Sequence, residues 1–351
     1  MIETHCSLKS FNSFAIEAQA EQLFHLTSRS QFPALITHIK QAKQQNMPIL
    51  ILGGGSNVLF CEDFAGLIIK VELLGVDITE TAHDFHLCVG AGENWHQLVS
   101  DCIDKGMDGL ENLALIPGVV GAAPVQNIGA YGSEFKDFCQ SVEYIDLASG
   151  EVQTLNREQC LFGYRDSIFK TTAFKNALIT QVQLTLSKQW QPQSRYGALN
   201  DLDKTQPVTA KQIYQSVCEI RSTKLPDPAL LGNAGSFFKN PVVKKELADA
   251  LLSAHSTMPH YPQPNGDVKL AAGWLIDQAN LKGHQIGGAA VHQQQALVLV
   301  NRGEAIAADI IQLAAFVRDT VKQKFDVELA HEVRFIGAQG ETNLAEVLAN
   351  V

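Results

Sequence analysis

The sequence has no long apolar run, no paired-cysteine motif and no excess of positive charge, and each absence removes a class of function. Apolar stretches such as Ile49–Leu52 and Ala296–Val300 are of core-strand length, far short of the roughly 20 residues that span a membrane. With 27 Lys and Arg against 37 Asp and Glu, the formal net charge is -10. A broad basic face for nucleic acid or an acidic membrane surface is therefore not expected. The seven cysteines, Cys6, Cys61, Cys88, Cys102, Cys139, Cys160 and Cys218, are odd in number and scattered. None forms a C-x-x-C pair, so free thiols in a reducing compartment fit better than a disulfide framework, and no metal site is expected. The first residues lack the basic start and apolar stretch of a secretory signal, which makes the cytoplasm the expected location. There is no internal repeat and no low-complexity tract.

What is present is ordinary core material: 46% of the 351 residues are apolar, enough for two or three domains. Phe32, Leu35, Ile36, Ile39 and Ala42 repeat at helical spacing behind a cap expected at Ser30. Pro48–Leu52 reads as a buried strand that runs into a glycine loop. The 85–89 strand precedes a helix whose face is Trp95, Leu98, Val99, Cys102 and Ile103. Segments 141–147, 151–155 and 177–186 alternate as strands, and the polar stretch 188–210 reads as a connection. A helix near Lys211–Arg221 stops before Pro226 and Pro228, which mark a domain boundary. Beyond it, Leu247, Leu251 and Leu252 mark a short helix, 296–300 a strand, Ile310–Val321 a helix and Val333–Ile336 a return strand. The fold class is mixed α+β with several domains.

Two glycine-rich runs stand out. Gly53 to Asn57 (Gly-Gly-Gly-Ser-Asn) follows a strand, where consecutive N–H groups can form an anion-binding nest. It is neither G-x-G-x-x-G, since Val58 takes the last glycine position, nor a P-loop. Alone, it reads equally as a simple tight turn. The second run, Ile116–Gly132, is more specific: Gly118, Gly121, Ala122, Ala123 and Gly129 keep the backbone bare, Gln126 and Asn127 add amides, and Tyr131 offers a ring. Two bare loops suit a long ligand with a central pyrophosphate.

These runs resemble those of the UDP-N-acetylenolpyruvoylglucosamine reductases, also called UDP-N-acetylmuramate dehydrogenases. Four more segments carry the resemblance in order: Phe162–Lys170, Gly232–Pro241, Ala271–Asp277 and His331–Phe335. Leu8–Phe14 adds to it at the start. The resemblance implies three domains, two forming an FAD-binding module of the PCMH/vanillyl-alcohol-oxidase-like kind and a third, α/β, binding substrate. Their implied extents are 1–72 completed by 326–351, then 73–225, then 226–325. Tyr196 is similar to the tyrosine of a longer subclass with a substrate-covering loop.

The activity implied is reduction of UDP-N-acetylglucosamine-enolpyruvate by NADPH through non-covalent FAD, in an enzyme expected to be a monomer. Cofactor contacts implied by the resemblance are Gly53, Gly55, Ser56, Asn57, Pro117, Gly118, Ala122, Gln126, Asn127, Gly129, Ala130, Tyr131 and Arg165. Hydride addition leaves charge beside the substrate carboxylate, and Arg165 can grip such a group in a planar geometry. Ser236 matches the family's proton donor and Glu332 its acidic partner. For the nucleotide sugar, Tyr164, Tyr196, Arg221, Lys224, Asn240, Tyr261, Lys282 and Gln295 match. Without the motifs, Arg165 reads as a surface partner of Asp166, Ser236 as a turn serine and Glu332 as a solvated side chain. Two other functions remain open here: a flavin oxidase on the same scaffold, and a non-catalytic nucleotide-sugar-binding regulator.

Overall fold

The computed structural model describes residues 2–195, 199–200 and 207–349. Contacts divide the chain into two units, one from Met1–Thr4, Gln22–Gly54 and Gly66–Thr223, the other from His5–Glu21, Gly55–Ala65 and Lys224–Val351. Helices and strands mix in both, as an α+β fold requires. Among the described residues, no helix is long and apolar enough to cross a membrane.

In the first unit, the helix expected from the apolar spacing runs Phe32–Gln44 and buries Leu35, Ile39 and Ala42. Its cap is not Ser30. Gln31 holds the N-cap position, and Ser28 caps a preceding turn, Arg29–Gln31. The Ser28 hydroxyl accepts from the Ser30 amide at 3.1 Å, and the Gln31 side chain accepts from the Ser28 amide at 3.0 Å. This reciprocal box satisfies donors that a cap at Ser30 would have left to the longer helix. Strand Ile49–Leu52 then pairs in parallel with Phe64–Val71, Ile49 opposite Leu67, and delivers the chain to Gly53.

The rest of this unit is built on a five-stranded antiparallel sheet, in the order Val152–Asn156, Cys139–Asp146, Ala177–Ser187, Asp84–Gly90, Val76–Glu80. Val142, Val182 and Val89 lie directly opposite one another across the central strands and are fully buried. Such β-branched rows fit the pleated face of a sheet. The edge strand Val76–Glu80 has no counterpart in the sequence reading, because all five residues are exposed and no buried face marks it. Helix Trp95–Asp104 adds Trp95, Leu98, Val99 and Cys102 to the same core. Asn94 caps it by accepting from the Gln97 amide at 2.9 Å.

The second unit carries a four-stranded antiparallel sheet, ordered Asn233–Ser236, Val298–Asn301, Ala289–Val291, Gln285–Ile286. Ala289, Val291 and Leu299 join the core formed with helix Ala307–Phe325, whereas Ala290, Val298 and Val300 face the other way and meet Leu225 and Leu231. Strand Arg334–Gly337 runs parallel to Val58–Phe60, with Phe335 opposite Leu59.

Phe237 sits at the centre of this unit, fully buried, with Phe14, Phe238 and Phe335 around it at ring separations of 5.1–6.3 Å. Phe237→Ala is expected to destabilise the protein by about 3–5 kcal/mol, because both the transfer term and a residual cavity contribute. Chemical denaturation followed by circular dichroism measures the change.

Candidate active site

In the first unit Gly53 and Gly54 meet the second glycine run. A Cβ placed on Gly54 would stand 3.0 Å from the Gly118 Cα, and one on Gly53 would stand 2.8 Å from a Val119 methyl. The second run is also stitched to the 91–95 segment. The Trp95 amide donates to Gly118 O at 3.1 Å, Val120 to Glu93 O at 2.8 Å and Gly121 to Ala91 O at 2.8 Å. Gly53, Pro117, Gly118 and Ala122 therefore lie along one bare backbone surface.

Farther along, Asn127, Tyr131 and Arg165 all hold left-handed backbone conformations, with φ of 44°, 48° and 52°. Non-glycine residues adopt these at a cost that surrounding contacts must offset, and such residues gather at functional sites. Asn127 is buried and fully used within the protein: its amide donates to Glu134 and to Gly163 O, both at 3.0 Å, and its carbonyl accepts from the Lys136 amide. Arg165 donates to Gly129 O at 3.0 Å, and its guanidinium lies 5.8 Å from the Tyr164 ring centre. Tyr164 itself is exposed, and Gln126 and Ala130 are half-buried in the same stretch.

Arg221 reaches this group from helix Ala210–Lys224. It donates to Leu115 O at 3.1 Å and hydrogen-bonds to Tyr131. Burial pushes its guanidinium below the usual arginine range, Tyr131 pulls it back up and Arg165 pushes it down again. Burial raises the Tyr131 phenol, against the pull of Arg221. Arg165 and Arg221 are thus close enough to repel, an arrangement suited to an anion between or beside them. Arg221 Nε is buried with no hydrogen-bond partner among the described residues.

In the second unit, Ser236 and Glu332 are neighbours through Phe237. The Glu332 amide donates to Phe237 O at 2.7 Å, and Asn57 donates through its side chain to Glu332 O at 3.3 Å. Asn57 O in turn accepts from Arg334 at 3.1 Å, so the first loop's Asn57 is brought to the Glu332 segment. Ser236 pairs opposite Val298 and Asn233 opposite Val300, two positions on one face, although three residues separate Asn233 from Ser236. A bulge accounts for the odd spacing, with Gly235 at φ 70° and its amide held by the Asn233 side chain at 2.9 Å. Ser236 is thereby turned onto the face away from helix Ala307–Phe325, while Phe237 points into the core.

Gly55 has a structural reason of its own, since a Cβ there would overlap Phe11 O, and its own carbonyl accepts from Ser13 at 3.0 Å. Asn240 caps the helix Ala272–Gln278 by accepting from the Ala272 amide at 2.9 Å. Lys282 pairs with Asp277 at 2.9 Å, Tyr261 lies 5.6 Å from the Lys269 ammonium, and Gln295 O accepts from Val298 at 3.0 Å. Ser56 is half-buried and Lys224 exposed. Tyr196 falls outside the described residues.

Sequence reasoning passed over Glu111 and Asn112, both buried. Glu111 accepts from the Gly109 amide and from the Trp190 indole, each at 2.7 Å, and burial pushes its carboxyl up. Asn112 donates to Tyr131 O at 2.9 Å and to Gln193 O at 2.8 Å. Two polar residues inside the apolar run Leu110–Leu113 were the available signal.

A family model for the C-terminal domain of UDP-N-acetylenolpyruvoylglucosamine reductase matches residues 227–336, and one for an FAD binding domain matches residues 32–156. The UDP-N-acetylenolpyruvoylglucosamine reductase of Salmonella typhimurium is 53% identical over 99% of this chain and 100% of its own. Those of Photobacterium profundum and Escherichia coli K12 are 52% identical over 98% of this chain and 98% and 99% of theirs. The crystal structure of the Thermus caldophilus reductase shares the fold, with a TM-score of 0.65 at 24% identity, covering 95% of this chain and 98% of that one.

Gly54→Val should force the two glycine runs apart, since the side chain would occupy the space of Gly118. The purified variant is expected to carry several-fold less flavin per protein, read from visible absorbance. Unchanged flavin content would show that the close approach is not needed for binding.

Proposed function

The chain belongs to the UDP-N-acetylenolpyruvoylglucosamine reductase family, and we propose that it reduces UDP-N-acetylglucosamine-enolpyruvate to UDP-N-acetylmuramate in peptidoglycan precursor synthesis. FAD is its cofactor and NADPH its reductant. Near full-length identity to named reductases supports the activity, and the placement of Ser236 beside the Glu332 segment is the structural observation that carries the site.

The residues of the first unit fit an FAD. The bare surface of Gly53, Pro117, Gly118 and Ala122 accepts a close-packed pyrophosphate, and Gln126, Gly129, Ala130 and Tyr131 continue it. Gly55, Ser56 and Asn57 are likewise assigned to the cofactor. FAD, when bound, supplies to the enolpyruvyl methylene carbon a hydride that originates on NADPH.

The protein's task is to hold the charge that this leaves beside the substrate carboxylate. In our reading Arg165 grips the carboxylate through a fixed planar fork, and Glu332 polarises the developing enolate by hydrogen bonding. Ser236 then donates its hydroxyl proton to the carbon next to the carboxylate. The bulge supports this role, because it takes the hydroxyl off the core side of the sheet. Tyr164, Tyr196, Arg221, Lys224, Asn240, Tyr261, Lys282 and Gln295 are assigned to the nucleotide sugar.

The functional division that goes with this reading is 1–72 with 326–351, then 73–225 for FAD, then 226–325 for substrate. Pairing of the 334–337 strand with 58–60 supports the return of the tail to the N-terminal segment. The same reading makes the enzyme a cytoplasmic monomer.

NADPH oxidation should depend on the enolpyruvyl nucleotide sugar; oxidation that proceeds equally with oxygen alone would point to an oxidase instead. Ser236→Ala is expected to leave flavin reduction by NADPH intact and to slow the second half-reaction by roughly a hundredfold, the scale of acid–base catalysis. Stopped-flow absorbance separates the two steps. Equal rates in variant and parent would remove the serine from proton transfer.

A further inference from the structure

Leu115, the residue just before the second glycine run, is held in a left-handed conformation, φ 55°. A residue with a Cβ does not rest there unaided. Both of its peptide groups are held by side chains: its amide donates to His96 Nδ1 at 3.1 Å, and its carbonyl accepts from Arg221 at 3.1 Å. The residues on either side are fixed from the same helix turn, because the Trp95 indole donates to Leu113 O at 3.0 Å and the Trp95 amide to Gly118 O at 3.1 Å. His96 is therefore one of three points where the start of helix Trp95–Asp104 holds 113–118, and the one that acts directly on the turn.

We propose that His96 is a positioning residue for cofactor binding, holding Leu115 in the turn from which the 116–132 loop sets out. The inference rests on the reading that this loop holds FAD.

The chemistry requires a neutral ring. Nδ1 accepts a hydrogen bond only when the ring proton sits on Nε2; a second proton would set donor against donor. The surroundings favour the neutral form. Burial, and then the Arg221 guanidinium, push the imidazole below its ordinary value of 6.5. From helix Ala210–Lys224 the groups facing the ring are Arg221 and Tyr214, the latter stacked on it at 6.0 Å with the planes 12° apart. The 113–118 segment has no titratable side chain. The bond is thus present above the lowered imidazole value and lost as pH falls through it.

The test is flavin release from the holoprotein on dilution, read as recovered FAD fluorescence. His96→Ala should weaken flavin binding by about tenfold, the scale of one lost hydrogen bond to a buried amide. His96→Asn, whose side-chain oxygen can stand where Nδ1 stands, should recover most of it. The parent should also release flavin more readily as pH falls through that lowered imidazole value, and the step should vanish in His96→Asn. Equal affinity of parent and His96→Ala, or an Asn variant as weak as Ala, overturns the proposal. Should His96→Ala fail to fold, His96→Asn and His96→Gln are compared: tight binding by Asn with weak binding by Gln supports the role, and equal affinity overturns it. Absence of flavin from the parent protein would instead sink the reading of the loop.

Discussion

Two backbones that pass so close that a side chain would crowd them, at Gly54 and Gly118, set the geometry around the glycine runs. Because they touch, the strand end at Leu52 and the start of the second run share one surface. The stitches from Ala91, Glu93 and Trp95 keep that surface from opening, and each is an ordinary backbone hydrogen bond. None is strong by itself, with a net contribution of about 1 kcal/mol. The left-handed conformations of Asn127, Tyr131 and Arg165 are held by other bonds: Asn127 to Glu134, Gly163 and Lys136, Tyr131 O to Asn112, and Arg165 to Gly129 O.

Charge is handled in the same local way. The protein is acidic overall, yet it brings two guanidiniums within range of each other and partly withdraws one of them from water. Arg221 is retained there by a backbone carbonyl and a phenol, both neutral, so its positive charge is not cancelled by a carboxylate. A cation kept in this way attracts anions over a short range only, since the surrounding surface repels them.

Much of this was legible beforehand. The helices at 32–44, 95–104 and 307–325 announce themselves by apolar spacing, and the glycine runs by composition. Ser236 and Glu332 were singled out by resemblance alone; what brings their segments together, the Phe237–Glu332 backbone bond, leaves no mark in side-chain identity. His96, Glu111 and Asn112 escaped for a related reason. Their hydrogen-bond partners lie from 2 to 81 residues away, and apart from the Trp190 indole those named are backbone atoms, which side-chain identity does not record. The helix cap fell at Gln31 and the cap of the turn before it at Ser28, not at Ser30, because only the register of that turn chooses among neighbouring polar side chains.

The irregular spacing between Asn233 and Ser236 has a wider consequence. In a regular strand, positions three apart look in opposite directions, so a serine there would be driven into the phenylalanine cluster. The added residue separates the two halves of the strand: the stretch that anchors against Val300 and the stretch beyond Gly235 are set by different registers. Gain or loss of a single residue at this point would leave the sheet nearly intact and reverse which side of it carries the hydroxyl.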